Sequence, residues 1–366
     1  MNILFVNHAS NLTGASISCL SLITGLGKGY EPVFATREEG PVIGRLKESG
    51  IKSYVLRDRG FLGITYIVMF LKIVRDEKID LIHLNTLTPF CKYAGIAGFL
   101  KNVPIVWFVR ENPLISRSRR LRFWLKKISS KIIFVDRDTR EQLLGNDLMD
   151  RVEVVYNGVD TERFRPFESE FFFKMFNLQR DSLLIGYIGQ ITERKGIEYL
   201  VKALPLIRKK TSNFKLLIIG GHKAEDEAYF FKIKEMIKGL SLEKDVYFAG
   251  VVEDVSSAIN SLDVIVLPSL EERCSRVLIE SLACGKPAIA TRVGGTPEII
   301  EDGLNGFLVN PKDPEDIAEA ALKLLEDRGL RLMMGKEGRT KAERVFNLRE
   351  NLNRMREVYL KLHQGS

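Results

Sequence analysis

Glu272 and Glu280 lie eight residues apart and are the side chains most suited to bind a polar ligand in this chain of 366 residues. The apolar run 264–267 before them and the turn 285–287 after them predict a strand, an exposed loop, a helix and a turn. Glu272 therefore falls in the loop and Glu280 in the helix. Because open α/β sheets bind ligands at the carboxyl ends of their strands, the two carboxylates could hold the hydroxyls of a sugar and a ribose. The spacing alone fits a solvated helix with scattered acids equally well.

The elements that must position these glutamates follow from an alternation of short apolar runs and longer amphipathic runs. This alternation predicts parallel sheets with crossover helices. It breaks at the turn-rich stretch 157–166, which we interpret as an interdomain linker, and then starts again. Predicted strands lie near residues 2–7, 31–36, 52–56, 80–84, 104–109, 131–135 and 152–155 before the linker, and near 183–188, 214–220, 245–250, 263–267, 287–291 and 306–309 after it.

The length of the chain favours two domains, since a single hydrophobic core stops growing at about 250–300 residues. We predict an α/β fold of two doubly wound, Rossmann-like domains that face each other across a cleft. The first comprises residues 1–160 with a C-terminal helix at about 346–366, and the second comprises residues 161–345. Residues 313–362 are predicted to be helical throughout, and the charged tail is long enough to cross back onto the first domain.

Three glycine-bearing loops lead from a predicted strand into a helix, at residues 8–16, 185–196 and 291–298. Glycine beside a helix N-terminus lets backbone N–H groups approach a phosphate, and the helix dipole favours the anion. In the second loop, Arg194 and Lys195 precede the helix and suit a diphosphate, whose charge grows as it leaves. The first loop alone is equally consistent with a plain tight turn. Three such loops around one predicted cleft favour a phosphate ligand.

The net charge of +8 is confined to the first 165 residues, which hold 25 Lys+Arg against 17 Asp+Glu. It is concentrated in segment 117–131, where seven cations occur without an acid and alternate with apolar residues such as Phe123 and Trp124. This composition favours contact with an anionic membrane surface. A solvated helix with its apolar residues in the core is the alternative. No nucleic-acid fold motif accompanies the segment, so we expect no nucleic-acid partner.

Several features predict a cytoplasmic protein. The N-terminus lacks the basic start of a signal peptide, and the longest nearly apolar stretch, 61–71, is too short to span a bilayer. The four cysteines have neither the spacing of a zinc site nor that of a disulfide framework, which fits a reducing compartment. The basic segment is a candidate peripheral contact to the inner face of the membrane.

The chain resembles the retaining glycosyltransferases of family 4, which have the two-domain architecture called GT-B. The resemblance covers nearly the whole chain and is strongest in the C-terminal domain. It rests on the Glu-x7-Glu pattern at Glu272 and Glu280, on Lys195-Gly196, on the linker 156–160, and on residues 293–299 followed by 302–309.

The resemblance implies a role for each matching residue. Glu280 would accept hydrogen bonds from the ribose of a nucleotide-sugar, Glu272 would contact the donor sugar, and Lys195 would bind the diphosphate. Gly14 would lie under the donor phosphate near the acceptor. Further predicted donor-binding residues are Ala15, Gln190, Arg194, Gly250, Val251, Ser275, Arg276 and Val277, of which Gly250 and Val251 would lie near the base.

Three positions depart from the family pattern. Gln190 stands where an arginine is common, so Arg194 or Arg276 could supply that charge. Residues 273–275 replace a Gly-Phe-Gly. Arg110 stands where many members have a histidine, and because arginine cannot act as a base at neutral pH we predict an electrostatic catalytic role for it.

The implied activity is retaining transfer of a hexose from a nucleotide-diphosphate sugar to a lipid-linked or cell-surface glycan acceptor. The resemblance implies no metal and no cofactor other than the donor substrate. A soluble glycosyltransferase acting on a small metabolite, a non-catalytic nucleotide-sugar-binding protein and a sugar-nucleotide epimerase of the same fold are alternatives.

Overall fold

The structure, a computed structural model, describes residues 1–11, 13–57, 63–110, 119–145 and 150–365, and for residues 119–122 the backbone alone. The chain forms two compact units, Met1–Gly158 with Arg349–Ser366, and Val159–Leu348. The predicted domain boundaries after residues 160 and 345 thus lie two and three residues from the observed changes of unit.

The described residues of the first unit form a parallel sheet of seven strands. The strands are β1 (Asn2–Val6), β2 (Glu31–Thr36), β3 (Lys52–Val55), β4 (Leu81–Leu84), β5 (Ile105–Val109), β6 (Lys131–Phe134) and β7 (Val152–Val154). Their order is β3-β2-β1-β4-β5-β6-β7, so the winding reverses between β1 and β4. Polar side chains that follow these two strands, such as Asn7 and Asn85, are therefore brought together at one edge of the sheet.

Helices cover both faces of this sheet, as crossover connections require. They are α1 (Gly14–Gly25), α2 (Pro41–Glu48), α3 (Ile64–Asp76), α4 (Pro89–Leu100), α5 (Arg119–Ile128), α6 (Arg137–Leu144) and the C-terminal α15 (Leu348–Gln364). Pro at the first position of α2 and α4 suits a helix start, because the missing N–H would have no intrahelical partner there. Four of these helices, α3 to α6, pack apolar residues on one face of the sheet around Trp107 and Phe134.

The described residues of the second unit form a parallel sheet of six strands. They are β8 (Leu183–Ile188), β9 (Phe214–Ile219), β10 (Val246–Gly250), β11 (Val264–Leu267), β12 (Ala288–Thr291) and β13 (Gly306–Val309). The order is β10-β9-β8-β11-β12-β13. The winding reverses between β8 and β11, and the loops that follow these two strands lie side by side at this switch point.

The α-helices of the second unit range from four to 18 residues in length. They are α7 (Phe171–Phe176), α8 (Ile197–Arg208), α9 (Glu227–Gly239), α10 (Val255–Asn260), α11 (Arg276–Ala283), α12 (Thr296–Ile299), α13 (Pro314–Glu326) and α14 (Arg328–Val345). Every predicted strand is present in the two sheets, and the prediction of two Rossmann-like α/β domains is confirmed.

The prediction that residues 313–362 are helical throughout is wrong in detail. The chain leaves the helix at Asp327, whose side chain accepts a hydrogen bond from Leu330 N at 2.9 Å and so begins a new helix. A second interruption follows Val345, where Leu348 N donates to Val159 O at 2.9 Å. Both breaks are made by groups that compete with the helical hydrogen bonds.

The C-terminal helix α15 belongs to the first unit and is held there by polar and aromatic contacts. Tyr359 is fully buried, and its hydroxyl lies 2.8 Å from His83 Nδ1 at the centre of the unit. Arg356 donates to the carbonyl oxygens of Gly25 and Leu26, at 2.6 and 2.9 Å, where α1 ends. None of the helices that the structure describes is both long enough and apolar enough to cross a membrane.

Candidate functional site

Three loops of the second unit meet at the carboxyl end of its sheet. They follow β8, β11 and β12, and direct hydrogen bonds connect them: Leu270 N donates to Arg194 O at 2.8 Å, and Thr291 Oγ1 donates to Ser269 O. Two of the three are the glycine-bearing loops singled out in the sequence, and the third carries Glu272. The predicted donor-binding residues Gln190, Arg194, Lys195, Glu272 and those of α11 are therefore brought together within the second unit, whereas Gly14 and Ala15 belong to the first.

Two glycines allow these loops to approach so closely. Gly196 and Gly294 have φ of +64° and +51°, in the left-handed region that glycine adopts without strain. A Cβ at Gly196 would collide with the carbonyl oxygen of Pro268, and one at Gly294 would collide with that of Glu272. The backbone of the loop that carries Glu272 thus packs against Gly196 on one side and Gly294 on the other, where any larger residue would collide with it.

Lys195 and Glu272 form an ion pair in which the side chains are only 13% and 12% exposed. Ser269 Oγ also donates to Glu272 Oε2, at 3.2 Å. Charged groups so far from water need partners, since an unpaired buried charge destabilises the fold by several kcal/mol. The cation predicted to bind a diphosphate and the carboxylate predicted to contact the sugar therefore lie in direct contact.

Glu280 lies on α11 and is nearly buried. Arg276, one turn before it, approaches Glu280 Oε1 to 2.9 Å, and Ser275 caps the helix by accepting from Leu278 N. Burial raises the pKa of the Glu280 carboxyl above its ordinary value, and the positive charge of Arg276 opposes that shift. Val277, in the same first turn of α11, is half-buried.

Gln190 and Arg194 lie in the loop after β8. The carbonyl oxygen of Gln190 accepts a hydrogen bond from the buried Tyr187 hydroxyl at 2.6 Å, and burial raises the pKa of that tyrosine. The Arg194 side chain is exposed beside the half-buried Lys195. Sequence reasoning missed Tyr187, Ser269 and Thr291 as supports of this site. The one feature of the sequence that could have indicated these three residues is their position near the end of a strand or just after it.

Gly250 ends β10 and Val251 follows it, at the same edge of this sheet. The Val251 side chain is 81% exposed. Nearby, Phe230 on α9 stacks on His222, which follows β9, with ring centroids 4.3 Å apart, and it meets Phe248 on β10 edge-on at 5.5 Å. The predicted base-contacting residues therefore stand next to an aromatic surface.

Gly14, Ala15 and Arg110 lie in the first unit. Gly14 is the first residue of α1 and is exposed, and Ala15 follows it. Arg110 follows β5 and donates hydrogen bonds to Asn85 Oδ1 at 2.9 Å and to Asn157 Oδ1 at 2.6 Å. The structure thus places these predicted residues in a polar network at the carboxyl end of the first sheet.

Only part of the basic segment 117–131 is described. Residues 117 and 118 and the side chains of residues 119–122 lie outside the described part of the structure. In the remainder of α5, Leu125 and Ile128 are buried in the core, as the alternative interpretation of the segment expects. Phe123 is 53% exposed, with Lys127 Nζ 5.5 Å from the centroid of its ring. An aromatic and basic surface therefore remains on the outer face.

Two family models match the chain over most of its length. The model for glycosyl transferases group 1 matches residues 168–341, and the model for Glycosyltransferase Family 4 matches residues 12–163. An uncharacterized glycosyltransferase of Methanocaldococcus jannaschii is 30% identical over 314 residues, which is 82% of each chain. The chain therefore belongs to glycosyltransferase family 4, the group 1 glycosyl transferases.

Further relatives agree with this assignment. The capsular polysaccharide biosynthesis glycosyltransferase CapM of Staphylococcus aureus is 28% identical over 304 residues, 77% of this chain and 78% of CapM. The crystal structure of HepE from Anabaena in complex with UDP has a TM-score of 0.89 at 20% identity, and covers 99% of this chain and all of HepE. The fold is therefore that of the GT-B glycosyltransferases.

Proposed function

We propose that the protein transfers a hexose, with retention of anomeric configuration, from a nucleotide-diphosphate sugar to a lipid-linked or cell-surface glycan acceptor. The observation that carries this proposal is the Lys195–Glu272 pair at the switch point of the second sheet. A cation for a diphosphate and a carboxylate for sugar hydroxyls lie in contact there, between glycine-bearing loops.

The donor would occupy the second unit. Lys195 and Arg194 would neutralise the diphosphate, and Glu272 would accept hydrogen bonds from the hexose after its ion pair with Lys195 opens. Glu280 would accept hydrogen bonds from the ribose hydroxyls, and the neighbouring Arg276 would bind a phosphate. The first turn of α11, at Ser275 and Val277, presents backbone N–H groups, and Gln190 and Gly250-Val251 complete the site. HepE binds UDP, which favours a uridine donor for this chain.

Retention without a metal fits the side chains at this site. The leaving diphosphate needs positive charge, which Lys195 and Arg194 would supply together with helix N-termini. No enzyme nucleophile is required when the acceptor attacks from the face that the diphosphate leaves, and the acceptor proton passes to the departing phosphate oxygen. Arg110 is proposed to contribute electrostatically from the first unit.

The acceptor would bind to the first unit near Gly14 and Ala15. The excess positive charge of that half of the chain favours an anionic acceptor such as a lipid diphosphate, and the relative CapM is named for capsular polysaccharide biosynthesis. The exposed Phe123, Lys126 and Lys127 would contact an anionic membrane on its inner face.

Donor screening tests the donor half of this proposal. Nucleoside diphosphates and nucleotide-sugars are added to the protein, and the midpoint of thermal unfolding is followed, since a ligand of the folded state raises it. The stabilising donor is then incubated with lipid-linked diphosphate-sugar acceptors, and NMR of the product identifies the anomer. A product of inverted configuration, or tight nucleotide binding without transfer to any acceptor, would contradict the proposal.

Vesicle binding tests the membrane contact. Sedimentation with phosphatidylglycerol vesicles at low salt should retain the wild-type protein and lose the Lys126→Gln/Lys127→Gln variant. The matched control is Lys238→Gln on an exposed part of α9. No binding at low salt would favour a soluble enzyme that acts on a small metabolite, and equal binding of all three proteins would contradict a membrane contact through Lys126 and Lys127.

A further inference from the structure

Arg110 is fixed in direction by its surroundings in the first unit. Its Nε donates to Asn85 and its Nη1 donates to Asn157, at 2.9 and 2.6 Å. Its Cζ atom lies over the Phe108 ring, 3.8 Å from the ring centroid. Two hydrogen bonds from different nitrogens and this ring contact together fix the direction of the guanidinium, which a lysine with one terminal nitrogen cannot reproduce.

The two asparagines extend this network to helix α1. Asn85 Nδ2 donates to Ala15 O at 3.2 Å, and Asn157 Oδ1 also accepts from Ser18 Oγ at 3.0 Å. Thr13 stands at the N-cap, yet among the described residues its side chain makes no capping hydrogen bond. The N-terminal part of α1 is therefore held by Asn85 and Asn157, both of which meet at Arg110, and by Asn7, whose Nδ2 donates to Ser16 Oγ at 3.0 Å.

We propose that Arg110 is a positioning residue, which acts through Asn85 and Asn157 to set the first turn of α1. This inference rests on the proposed function, in which Gly14 and Ala15 lie beside the reacting groups. The first unit ends at Gly158 before the chain enters the second unit. Through its hydrogen bond to Asn157, Arg110 therefore also holds the residue that precedes this boundary. Arg110 would thus affect turnover through the backbone of α1, in addition to the electrostatic contribution of its charge.

The directions of the amide groups make this proposal testable. Asn157 is used through its oxygen, which accepts from both Arg110 and Ser18. Asn85 is used through its oxygen toward Arg110 and through its nitrogen toward Ala15. Asn157→Asp therefore keeps both contacts, whereas Asn85→Asp keeps the contact to Arg110 and loses the one to α1.

The experiment measures two properties of the full-length chain: hydrogen exchange of the backbone amides of residues 15–19 without ligand, and kcat and donor KM with a stabilising nucleotide-sugar. We expect Arg110→Lys, Asn157→Ala and Asn85→Asp each to speed this exchange and to lower kcat about tenfold, the effect of losing one charge-assisted or buried hydrogen bond. Donor KM should change little. Asn157→Asp should rescue kcat to within about twofold, and the control Arg75→Lys, an exposed pair on α3, should resemble the wild type.

A different pattern would overturn the proposal. If only Arg110→Lys lowers kcat and the asparagine variants neither slow turnover nor speed exchange, Arg110 acts on the reacting groups directly. Multiplicative losses in Arg110→Lys/Asn157→Ala would equally contradict action through one network. If the wild-type protein transfers no sugar, the proposed function fails, and the exchange measurement still decides whether Arg110 positions α1.

Discussion

The Lys195–Glu272 pair sets the energetics of the candidate donor site, because both side chains are nearly buried and each compensates the charge of the other. We expect Lys195→Ala to lower kcat/KM about 100-fold, since a charge-assisted contact to a diphosphate contributes about 3 kcal/mol. It should also destabilise the fold by about 3 kcal/mol, because the Glu272 carboxylate loses its cation. Transfer assays and thermal unfolding measure the two effects.

Two further variants separate binding from folding at this pair. The double variant Lys195→Ala/Glu272→Gln should regain much of the stability and none of the activity. Lys223→Ala serves as the control, because Lys223 and its partner Glu225 are 52% and 73% exposed and such pairs contribute little. A wild-type kcat/KM in Lys195→Ala would refute the diphosphate role of this lysine.

His83 should make the free energy of unfolding of the first unit depend on pH in the acidic range. Burial, and secondarily the positive charge of Arg110, lowers the pKa of this histidine from 6.5 to about 3. Below pH 6.5 the histidine is protonated in the unfolded chain but stays neutral in the folded chain. The stability that the neutral His83 contributes is therefore complete above pH 6.5 and is lost as the pH falls toward 3. At pH 5 the loss amounts to about 2 kcal/mol.

The variant His83→Gln removes this acid response. Its free energy of unfolding should change less between pH 7 and pH 5 than that of the wild type, by about 2 kcal/mol in urea unfolding. His222→Gln, an exposed histidine of the second unit, is the control. Identical losses in wild type and His83→Gln would show that other groups determine the acid response.

Among the elements, the loop after β12 depends on a glycine for its contact with the Glu272 loop. Gly294→Ala would force a Cβ against the carbonyl oxygen of Glu272, and we expect donor affinity to fall at least about tenfold as the two loops separate. Gly303 shares the left-handed backbone, with φ +76°, but a Cβ there would have no described atom within 4 Å. Gly303→Ala is thus the matched control for backbone strain, and calorimetric titration with UDP compares the two variants. Equal affinities would exclude the steric explanation.

Helix α15 stabilises the first unit chiefly through the side chains on its buried face. Tyr359→Ala should destabilise that unit by about 3–5 kcal/mol, as expected for removal of a large buried aromatic side chain. Its neighbour Leu360 is 44% exposed, so Leu360→Ala should change stability by less than about 1 kcal/mol. Calorimetry measures both. Similar effects of the two variants would mean that α15 is not anchored through Tyr359.

At the scale of the whole molecule, the chain divides into two compact units. We therefore predict that bound UDP slows hydrogen exchange mainly in the unit that binds it. In hydrogen exchange, saturating UDP should slow exchange in residues 189–196, 268–276 and 291–296 of the second unit. Strands β2 and β3 of the first unit, which carry no predicted donor-binding residue, should exchange as in the free protein. Protection centred on the first unit would place the nucleotide elsewhere.

The sequence by itself determined the secondary structure and the fold class. Apolar runs, their periods and the glycines that end them are local features, so strands such as Leu183–Ile188 and Glu31–Thr36 were predicted to the residue. The long C-terminal helix was predicted less well, because Asp327 interrupts it through a side-chain hydrogen bond that hydrophobic periodicity does not register. The motifs around Glu272 and Glu280 also sufficed to predict the family.

Only the tertiary structure decided which of these residues touch. Lys195 and Glu272 are 77 positions apart in the chain and Arg110 and Asn157 are 47 apart, and no local pattern couples them. Their contacts depend on the strand order of each sheet, which places the ends of β8 and β11 next to each other and the ends of β5 and β7 on either side of β6. A residue's chemistry is a property of its type, whereas its partner is set by how strands distant in the sequence pair.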